Sequence, residues 1–232
     1  MTETIKTLIN NKWEINLLPF RAEALHWTFW EKERLQAMHC VIRDGDVLID
    51  VGAEQGDLTT LFATWGADVI AIEPSAKFIP NISKTFKANN VEPMVIINCL
   101  ADKETSENFD LQAEVDKANK LADGEPNIGA GFVHLSENPD VSHMAIDELK
   151  IEVNVITIDV EGSEYEVLQG AEKTLLRDKP IVFVSIHPEF MWTAHHHSPD
   201  DLITMMKKWG YREYYLAFDH EQHYMFKYED YK

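Results

Sequence analysis

The segment 48–74 constrains the fold of this chain more than any other part of the sequence. Residues 48–51 form a mostly apolar run before a turn with Gly52 and Gly56, and a second apolar run, 69–72, ends at Glu73. A strand, a glycine-containing turn that opens a helix, and a second strand make up a βαβ unit. In such units the turn holds a nucleoside, and a carboxylate about 20 residues later binds the ribose hydroxyls. The pattern predicts a parallel α/β sheet with a ligand site at its carboxyl edge.

The glycine spacing distinguishes between two nucleoside cofactors. Nicotinamide-binding turns use G-x-G-x-x-G, which brings the pyrophosphate to a helix N-terminus. Here the spacing is Gly52-x-x-x-Gly56, and the carboxylates of Asp50 and Glu54 would repel a pyrophosphate. S-adenosylmethionine has no phosphate, and its sulfonium and amino groups favour nearby carboxylates. We therefore expect S-adenosylmethionine, with a nicotinamide-dependent oxidoreductase as the less favoured alternative.

Composition and charge narrow the class of protein. Of the 232 residues, 45% are hydrophobic, which fits one large α/β domain over 1–232 better than two small ones. With 21 basic and 40 acidic residues, the net charge of −19 repels nucleic acid and acidic membranes. The sequence contains neither a signal-peptide pattern nor an apolar run of about 18 residues. We expect a cytoplasmic protein with no nucleic-acid or membrane partner, and with Cys40 and Cys99 as reduced core thiols. The oligomeric state is not indicated.

Strands and helices alternate along the chain, which favours a sheet covered on both faces. Strands are expected over 47–51, 69–72, 95–99, 154–158 and 180–186, and helices over 27–38, 57–65, 80–89, 166–176 and 198–210. Two further strands, 211–217 and 223–228, flank a turn-like sequence and predict an antiparallel hairpin. We expect 1–43 to be a helical lead-in and 103–142 to be an insertion or loop region with one helix over 109–122. The predicted fold is a Rossmann-like, doubly wound seven-stranded sheet, mostly parallel, with an antiparallel C-terminal hairpin.

Three sequence segments match the motifs of one enzyme family. They read IDVGAEQG at 49–56, IEPSAKF at 72–78 and ITIDVEGSEYEVLQGAEKTL at 156–175. With these segments the chain resembles the FkbM family of S-adenosylmethionine-dependent methyltransferases, which has the class I methyltransferase fold. The first two are generic to class I methyltransferases, and the third is far more specific. The resemblance covers about 44–178 and implies methyl transfer to a hydroxyl of a sugar or secondary metabolite, without identifying the acceptor.

The resemblance and the strand ends together suggest which residues contact the cofactor. The glycine turn would let the cofactor approach the backbone, with Asp50 and Glu54 near its amino-acid end and Glu73 on the ribose. Such folds commonly contact adenine after the third strand, although Asp102 is equally compatible with a solvated loop acid. The expected cofactor contacts are Asp50, Gly52, Ala53, Glu54, Gly56, Glu73, Pro74, Ser75, Ala101, Asp102 and Asp159.

The acceptor chemistry is expected where the strands 154–158 and 180–186 end. Methyl transfer to a hydroxyl requires that the enzyme position the oxygen and help remove its proton. Asp159 should face the crevice, and His187 is placed to act as the base, although a strand-end histidine can also be purely structural. Glu161 and Glu164 begin the next helix, where the helix dipole alone favours acids. The candidate catalytic residues are Asp159, His187 and Glu161.

Three consecutive histidines at 195–197 suggest a metal site only weakly. Consecutive side chains diverge, so the three cannot share one ion, and a solvated loop is the preferred interpretation. One of them could join Asp159, His187 and Glu189 around a divalent ion that polarises the acceptor hydroxyl. We therefore expect no metal site, although a divalent metal remains compatible with the sequence. The expected function is O-methylation of a small-molecule or glycan hydroxyl; a non-catalytic S-adenosylmethionine-binding module is the main alternative.

Overall fold

The computed structural model describes residues 3–24, 26–127 and 141–229. The chain begins with an antiparallel hairpin of β1 (Ile5–Ile9) and β2 (Trp13–Leu17), followed by α1 (Pro19–Ala24), a 3₁₀ turn (Trp27–Phe29) and α2 (Lys32–Val41). This region was expected to be a helical lead-in, and the hairpin was missed. The helix expected over 27–38 is interrupted at Glu31, whose φ of 41° places it in the left-handed region.

The central sheet and its covering helices follow. In chain order they are β3 (Val47–Val51), α3 (Asp57–Thr64), β4 (Asp68–Ile72), α4 (Ile79–Ala88), β5 (Val95–Ile97), β6 (Leu100–Ala101), α5 (Leu111–Ala122), β7 (His143–Met144), a 3₁₀ turn (Ile146–Leu149), β8 (Val155–Ile158), α6 (Glu164–Gln169), α7 (Glu172–Asp178), β9 (Ile181–Ile186), α8 (Pro188–His195), α9 (Pro199–Lys208), β10 (Tyr211–Phe218) and β11 (Gln222–Tyr228).

The seven-stranded sheet has the order β10-β11-β9-β8-β3-β4-β5. The strands from β9 to β5 are parallel, whereas β11 runs antiparallel to both β9 and β10. The expected Rossmann-like, doubly wound α/β sheet with an antiparallel hairpin is therefore confirmed. From β3 the chain adds β4 and β5 on one side, and then β8 and β9 on the other side, so the strand order reverses between β3 and β8. Open α/β sheets bind ligands in the crevice at such a point.

The core lies on both faces of the sheet because its central strands are apolar on both sides. Leu48 belongs to a buried cluster with Leu35 of α2 and Phe62 of α3. The next residue, Ile49, belongs to the cluster on the opposite face with Leu168 of α6. Successive strand residues point to opposite faces, so β3 is held from both sides and its carboxyl end is fixed in place.

Several local predictions differ from the structure. The third strand ends at Ile97 rather than Cys99, and β6 instead pairs with β7 in a small parallel sheet. The helix expected over 166–176 is two helices that meet near Gly170, where an added Cβ would lie 2.1 Å from the carbonyl oxygen of Asp102. Part of the region 103–142 is helical, as α5, while residues 128–140 lie outside the described part of the chain.

Two further sequence features can be compared with the structure. Cys99 is buried as expected, but Cys40 is exposed on α2 and is not a core thiol. Across the described ranges, none of the helices combines the length and the apolar character needed to cross a membrane.

Candidate active site

A cavity of about 490 Å³, including space open to solvent, lies at the carboxyl end of β3. Its walls come from the glycine turn, from Asp159 after β8, and from the N-terminal region. The lining residues that the sequence predicted are Asp50, Gly52, Ala53, Glu54 and Asp159. The lining residues that it missed include Arg21, Trp27, Trp30, Glu31 and Arg34. The N-terminal region therefore contributes to this site directly.

Arg21 fixes the N-terminal region against the glycine turn. Its Nη2 lies 3.0 Å from Glu54 Oε2, and its Nε lies 2.5 Å from Asp57 Oδ2. The indole of Trp27 donates a hydrogen bond of 3.0 Å to the Arg21 carbonyl. Two of the acids at the turn are thus paired with one arginine about 35 residues earlier, which local sequence spacing could not indicate.

The two glycines of the turn are required by the packing of the chain itself. Gly52 has a φ of 88°, and an added Cβ would lie 1.9 Å from the carbonyl oxygen of Asp159. Gly56 has a φ of 81°, and an added Cβ would lie 2.7 Å from the Cα of Ile82 in α4. A side chain at Gly52 would therefore push the ends of β3 and β8 apart, and one at Gly56 would push α4 away from the turn. The close contact at Gly52 brings Asp159 against the turn.

Glu73 ends β4 and is 3% exposed. Its Oε1 accepts a hydrogen bond of 2.7 Å from the Ser75 amide, and its Oε2 accepts one of 2.8 Å from the Glu54 amide. Burial raises the pKa of this carboxyl to about 8, although the two amide hydrogen bonds oppose the shift. Each carboxylate oxygen has acceptor capacity left for a ligand hydroxyl.

The residue after β5 is Asn98, which the sequence analysis did not select. Its Nδ2 donates to the carbonyl oxygens of Glu73 at 2.9 Å and Pro74 at 3.0 Å. Its Oδ1 is buried and has no hydrogen-bond partner among the described residues. A buried acceptor without a donor is unusual, so Asn98 is available to a ligand that binds at the Glu73 edge.

Ala101 and Asp102 are not brought to the cavity. Ala101 is buried in β6, and Asp102 Oδ2 lies 2.7 Å from His143 Nδ1. In the structure β5 ends two residues earlier than the apolar run suggested. The position directly after the third strand of the sheet belongs to Asn98.

A group of acids surrounds one imidazole beside the cavity. We call Glu31, Asp159, Glu161, His187 and Glu221 the acid–histidine cluster. His187 Nε2 contacts Glu221 Oε2, lies 3.2 Å from Glu161 Oε2 and lies 3.9 Å from Asp159 Oδ1. On the other side of the ring, Nδ1 lies 2.8 Å from Oε1 of the fully buried Glu164. The three candidate catalytic residues of the sequence therefore meet, and Glu221, from the C-terminal hairpin, joins them.

The acids decide the protonation of His187. Burial alone would lower the pKa of the imidazole, but hydrogen bonds with Glu164 and Glu221 raise it to about 11. Burial would likewise raise the pKa of Glu221, but hydrogen bonds from His187 and His220 lower it. An imidazolium has no lone pair with which to accept a proton. The geometry therefore argues against the general-base role that we expected for His187.

Arg34 connects the cavity to the cluster. It is 2% exposed, its Nη1 bonds Glu31 Oε2, and its Nη2 donates a hydrogen bond of 2.5 Å to Thr157 Oγ1. Nη1 also lies 3.9 Å from Asp159 Oδ2. Burial and the acid Glu221 raise the pKa of Asp159 well above its usual value, while Arg34 opposes this shift. The buried arginine thus limits the repulsion among these acids.

The histidines at 195–197 make their described contacts elsewhere. His195 Nδ1 and His197 Nε2 lie 3.5 Å and 3.3 Å from Glu166 Oε1, and His197 stacks on Tyr165. His196 packs against Trp192, and Glu189 is exposed on α8. The metal set suggested for one of these histidines with Glu189 is not assembled here.

A comparison with known protein families identifies the family of this chain. The family model for the methyltransferase FkbM domain matches residues 50–213. The chain belongs to the FkbM family of methyltransferases. These enzymes depend on S-adenosylmethionine, and the cavity at the switch point of this sheet is lined by several carboxylates. No curated protein matches the chain.

Solved structures support the same fold. Methyltransferase FkbM from Methylobacillus flagellatus KT is 19% identical, with a TM-score of 0.50 over 80% of this chain and 44% of that one. A 16S rRNA methyltransferase of T. thermophilus, in complex with AdoMet and guanosine, is 14% identical, with a TM-score of 0.52; the match covers 98% of this chain and 50% of that one. An rRNA methylase from Streptococcus thermophilus is 13% identical, with a TM-score of 0.50; the match covers 85% of this chain and 97% of that one. At these identities the likeness establishes the class I methyltransferase fold, and this chain spans less than half of the Methylobacillus protein.

Proposed function

We propose that this FkbM-family chain transfers the methyl group of S-adenosylmethionine to a hydroxyl oxygen of a small molecule or glycan. The observation that carries the proposal is the position of Asp159. This residue lines the nucleoside cavity and also belongs to the acid–histidine cluster. A cofactor in the cavity would therefore lie beside a group of proton acceptors.

The cofactor would bind along the carboxyl edge of β3, β4 and β5. The Glu73 carboxylate would accept hydrogen bonds from the ribose hydroxyls, and the free Asn98 Oδ1 would accept one from a donor on the nucleoside. Asp50, which lines the cavity, would lie near the sulfonium and amino groups. Neither the Gly52-x-x-x-Gly56 turn nor these acids suits a pyrophosphate, so a nicotinamide cofactor is not proposed.

The chemistry requires an in-line displacement at the methyl carbon. A lone pair of the acceptor oxygen forms the new C–O bond while the C–S bond breaks and its electron pair returns to sulfur. The hydroxyl proton passes to a carboxylate, and Asp159 is the carboxylate shared between the cavity and the cluster. Glu161, whose side chain is 43% exposed, lies at the open side of the cluster and would hydrogen-bond the acceptor.

The acidity of the site favours a neutral or cationic acceptor over a nucleic acid. Two of the structurally similar proteins are named as rRNA methyltransferases. This chain has a net charge of −19, and its candidate acceptor region is a cluster of carboxylates. A phosphate backbone would be repelled on both counts.

The test is a search for the methylated product. The chain is incubated with S-adenosylmethionine labelled in the methyl group and with pools of glycosides, small-molecule alcohols and RNA, and labelled products are identified by mass spectrometry. We expect a methyl ether, and Asp159→Asn should reduce its formation by about 10²–10⁴-fold. Asp200→Asn, which removes the same charge at an exposed position on α9, should leave the rate unchanged. Label found only on RNA would contradict the proposal.

A further inference from the structure

We propose that the acid–histidine cluster is a binding site for a divalent cation of the Mn²⁺ type, with Asp159, Glu161, His187 and Glu221 as ligands. Carboxylates with one imidazole are a ligand set that suits this class of ion. The residues come from the segments that follow β8 and β9 and from the turn before β11, so the fold, and not one loop, assembles them.

The distances within two triads that share Asp159 fit an ion. One ligand atom from each of Asp159, Glu161 and His187 lies within 4.8 Å of the other two, and the same holds for Glu31, Asp159 and Glu221. Bonds of about 2.1 Å to an ion place ligand atoms about 3.0 Å apart when adjacent and about 4.2 Å apart when opposite. The separations of 3.2 Å and 3.9 Å from His187 Nε2 to Glu161 and Asp159 lie in that range. Glu221 Oε2 contacts Nε2 directly and would move outward as the ion enters between them.

The second observation is the way the imidazole is held from behind. Glu164, outside the set of ligands, is fully buried, and its Oε1 lies 2.8 Å from His187 Nδ1. With the proton on Nδ1, the ring presents the lone pair of Nε2 to the three carboxylates. A buried carboxylate that orients a histidine in this manner is the usual support of a metal ligand. The other oxygen of Glu164 is buried without a hydrogen-bond partner in the described part of the chain.

The charges around the cluster also call for a cation. Arg34 is engaged by Glu31, and His220 Nε2 lies 3.0 Å from Glu221 Oε1. The nearest cationic groups to the Asp159 carboxylate, Arg34 and His187, are each 3.9 Å away, beyond hydrogen-bond distance. Among the described residues, Asp159 is therefore the carboxylate of the cluster without a close cationic partner, and an ion between Asp159, Glu161 and His187 would supply one.

Two neighbouring groups are weaker candidates. Asp219, His220 and Glu221 also approach within 4.8 Å, but Asp219 and His220 are exposed neighbours on one turn. Among the residues that the structure describes, His195 and His197 have a single carboxylate partner, Glu166. Neither group has an imidazole fixed by a fully buried acid.

The ion would deepen the proposed function, and only this role depends on that function. Beside the cavity, it would bind the acceptor hydroxyl and lower the pKa of its proton. His187 would then be a ligand: the ion would take the place of the proton on Nε2, and the lone pair of Nε2 would be occupied by the ion and not available for base catalysis. The binding of the ion can be measured without an acceptor or cofactor.

The experiment measures Mn²⁺ binding by electron paramagnetic resonance, because bound Mn²⁺ loses the sharp signal of the free ion. Full-length protein is first dialysed against a chelator and then titrated with MnCl₂. We expect one site per chain, with the dissociation constant raised at least tenfold in Glu161→Gln and in Asp159→Asn. The matched control is Glu189→Gln, which removes a negative charge two residues from His187 at an exposed position and should bind as the unmodified chain does.

The outcomes separate this inference from the proposed function. No saturable site in the unmodified chain, or equal affinity in all variants that keep the native circular dichroism spectrum, would overturn the metal site. A site that weakens as expected, in a chain that methylates no hydroxyl, would support the metal site and count against O-methylation instead.

Discussion

Replacing Glu73 by glutamine tests the assignment of the cofactor site. Both oxygens of the carboxylate already accept backbone amide hydrogen bonds, from Ser75 and Glu54. Glutamine has a single acceptor oxygen, so its amide group would face one of these N–H donors. The substitution also removes the negative charge that the ribose hydroxyls would contact. Hydrogen bonds to charged groups contribute about 1.5–3 kcal/mol. We therefore expect Glu73→Gln to lose about 2–3 kcal/mol of binding free energy for S-adenosylmethionine, which corresponds to a 30- to 150-fold weaker affinity.

Calorimetric titration with S-adenosylmethionine measures this loss, and its pH dependence identifies the cause. The pKa of Glu73 is raised to about 8, whereas ribose hydroxyls would favour the ionised form and lower it in the complex. Affinity should therefore rise with pH up to about 8, by at most about tenfold per pH unit. Glu73→Gln should abolish this dependence, and Glu92→Gln, at an exposed position, should retain it. Unchanged affinity in folded Glu73→Gln would refute the assignment.

Two further predictions concern stability. Arg34→Leu leaves the Glu31 carboxylate buried without the Arg34 guanidinium. Urea unfolding should therefore show a free energy of unfolding lower by about 3–5 kcal/mol. A decrease as small as that in the exposed variant Arg212→Leu would contradict this prediction. Gly52→Ala places a Cβ 1.9 Å from the Asp159 carbonyl oxygen, whereas Gly45→Ala has a similar φ, 80° against 88°, and nothing within 4 Å. The free energy of unfolding of Gly52→Ala should therefore be lower than that of Gly45→Ala. The Gly45→Ala variant should lose only the backbone strain energy of about 1–3 kcal/mol. Equal free energies of unfolding would show that the close contact at Gly52 relaxes freely.

The fold was predictable because its signals are local. Apolar runs at β3, β4, β8 and β9 and the glycine turn indicate a doubly wound sheet, and each run reflects burial on both faces. The Ser198 capping box marks the start of α9, and the structure shows both of its hydrogen bonds. The N-terminal hairpin was missed although β2 alternates apolar and polar residues; its partner β1 carries no such alternation.

The site was predictable only where it lies on strand ends. Asp50 lies within the last two residues of β3, while Glu73, Asp159 and His187 directly follow strands. A parallel sheet necessarily brings such residues to one edge. Arg21, Arg34 and Glu221 come from the N-terminal region and the C-terminal hairpin, so only the folded chain brings them to the cavity and the cluster. Their sequence neighbourhoods carry no motif, and opposite charges far apart along a chain give no local pattern.

The protonation of His187 could not be read from the sequence either. It depends on Glu164, Glu221 and Glu161, which approach the ring from three different segments. A strand-end histidine beside one acid could act as a base, whereas a histidine enclosed by several acids is either charged or bound to a cation. The number of surrounding carboxylates decides between these roles.

Asp159 lies where the cavity and the acid–histidine cluster meet, and a crystal structure with S-adenosylhomocysteine tests its proposed role most directly. We expect the ribose hydroxyls to bind Glu73 and the sulfur to lie at the Asp159 end of the cavity, facing the cluster. A sulfur directed away from Asp159, or a ribose remote from Glu73, would refute the proposed cofactor site.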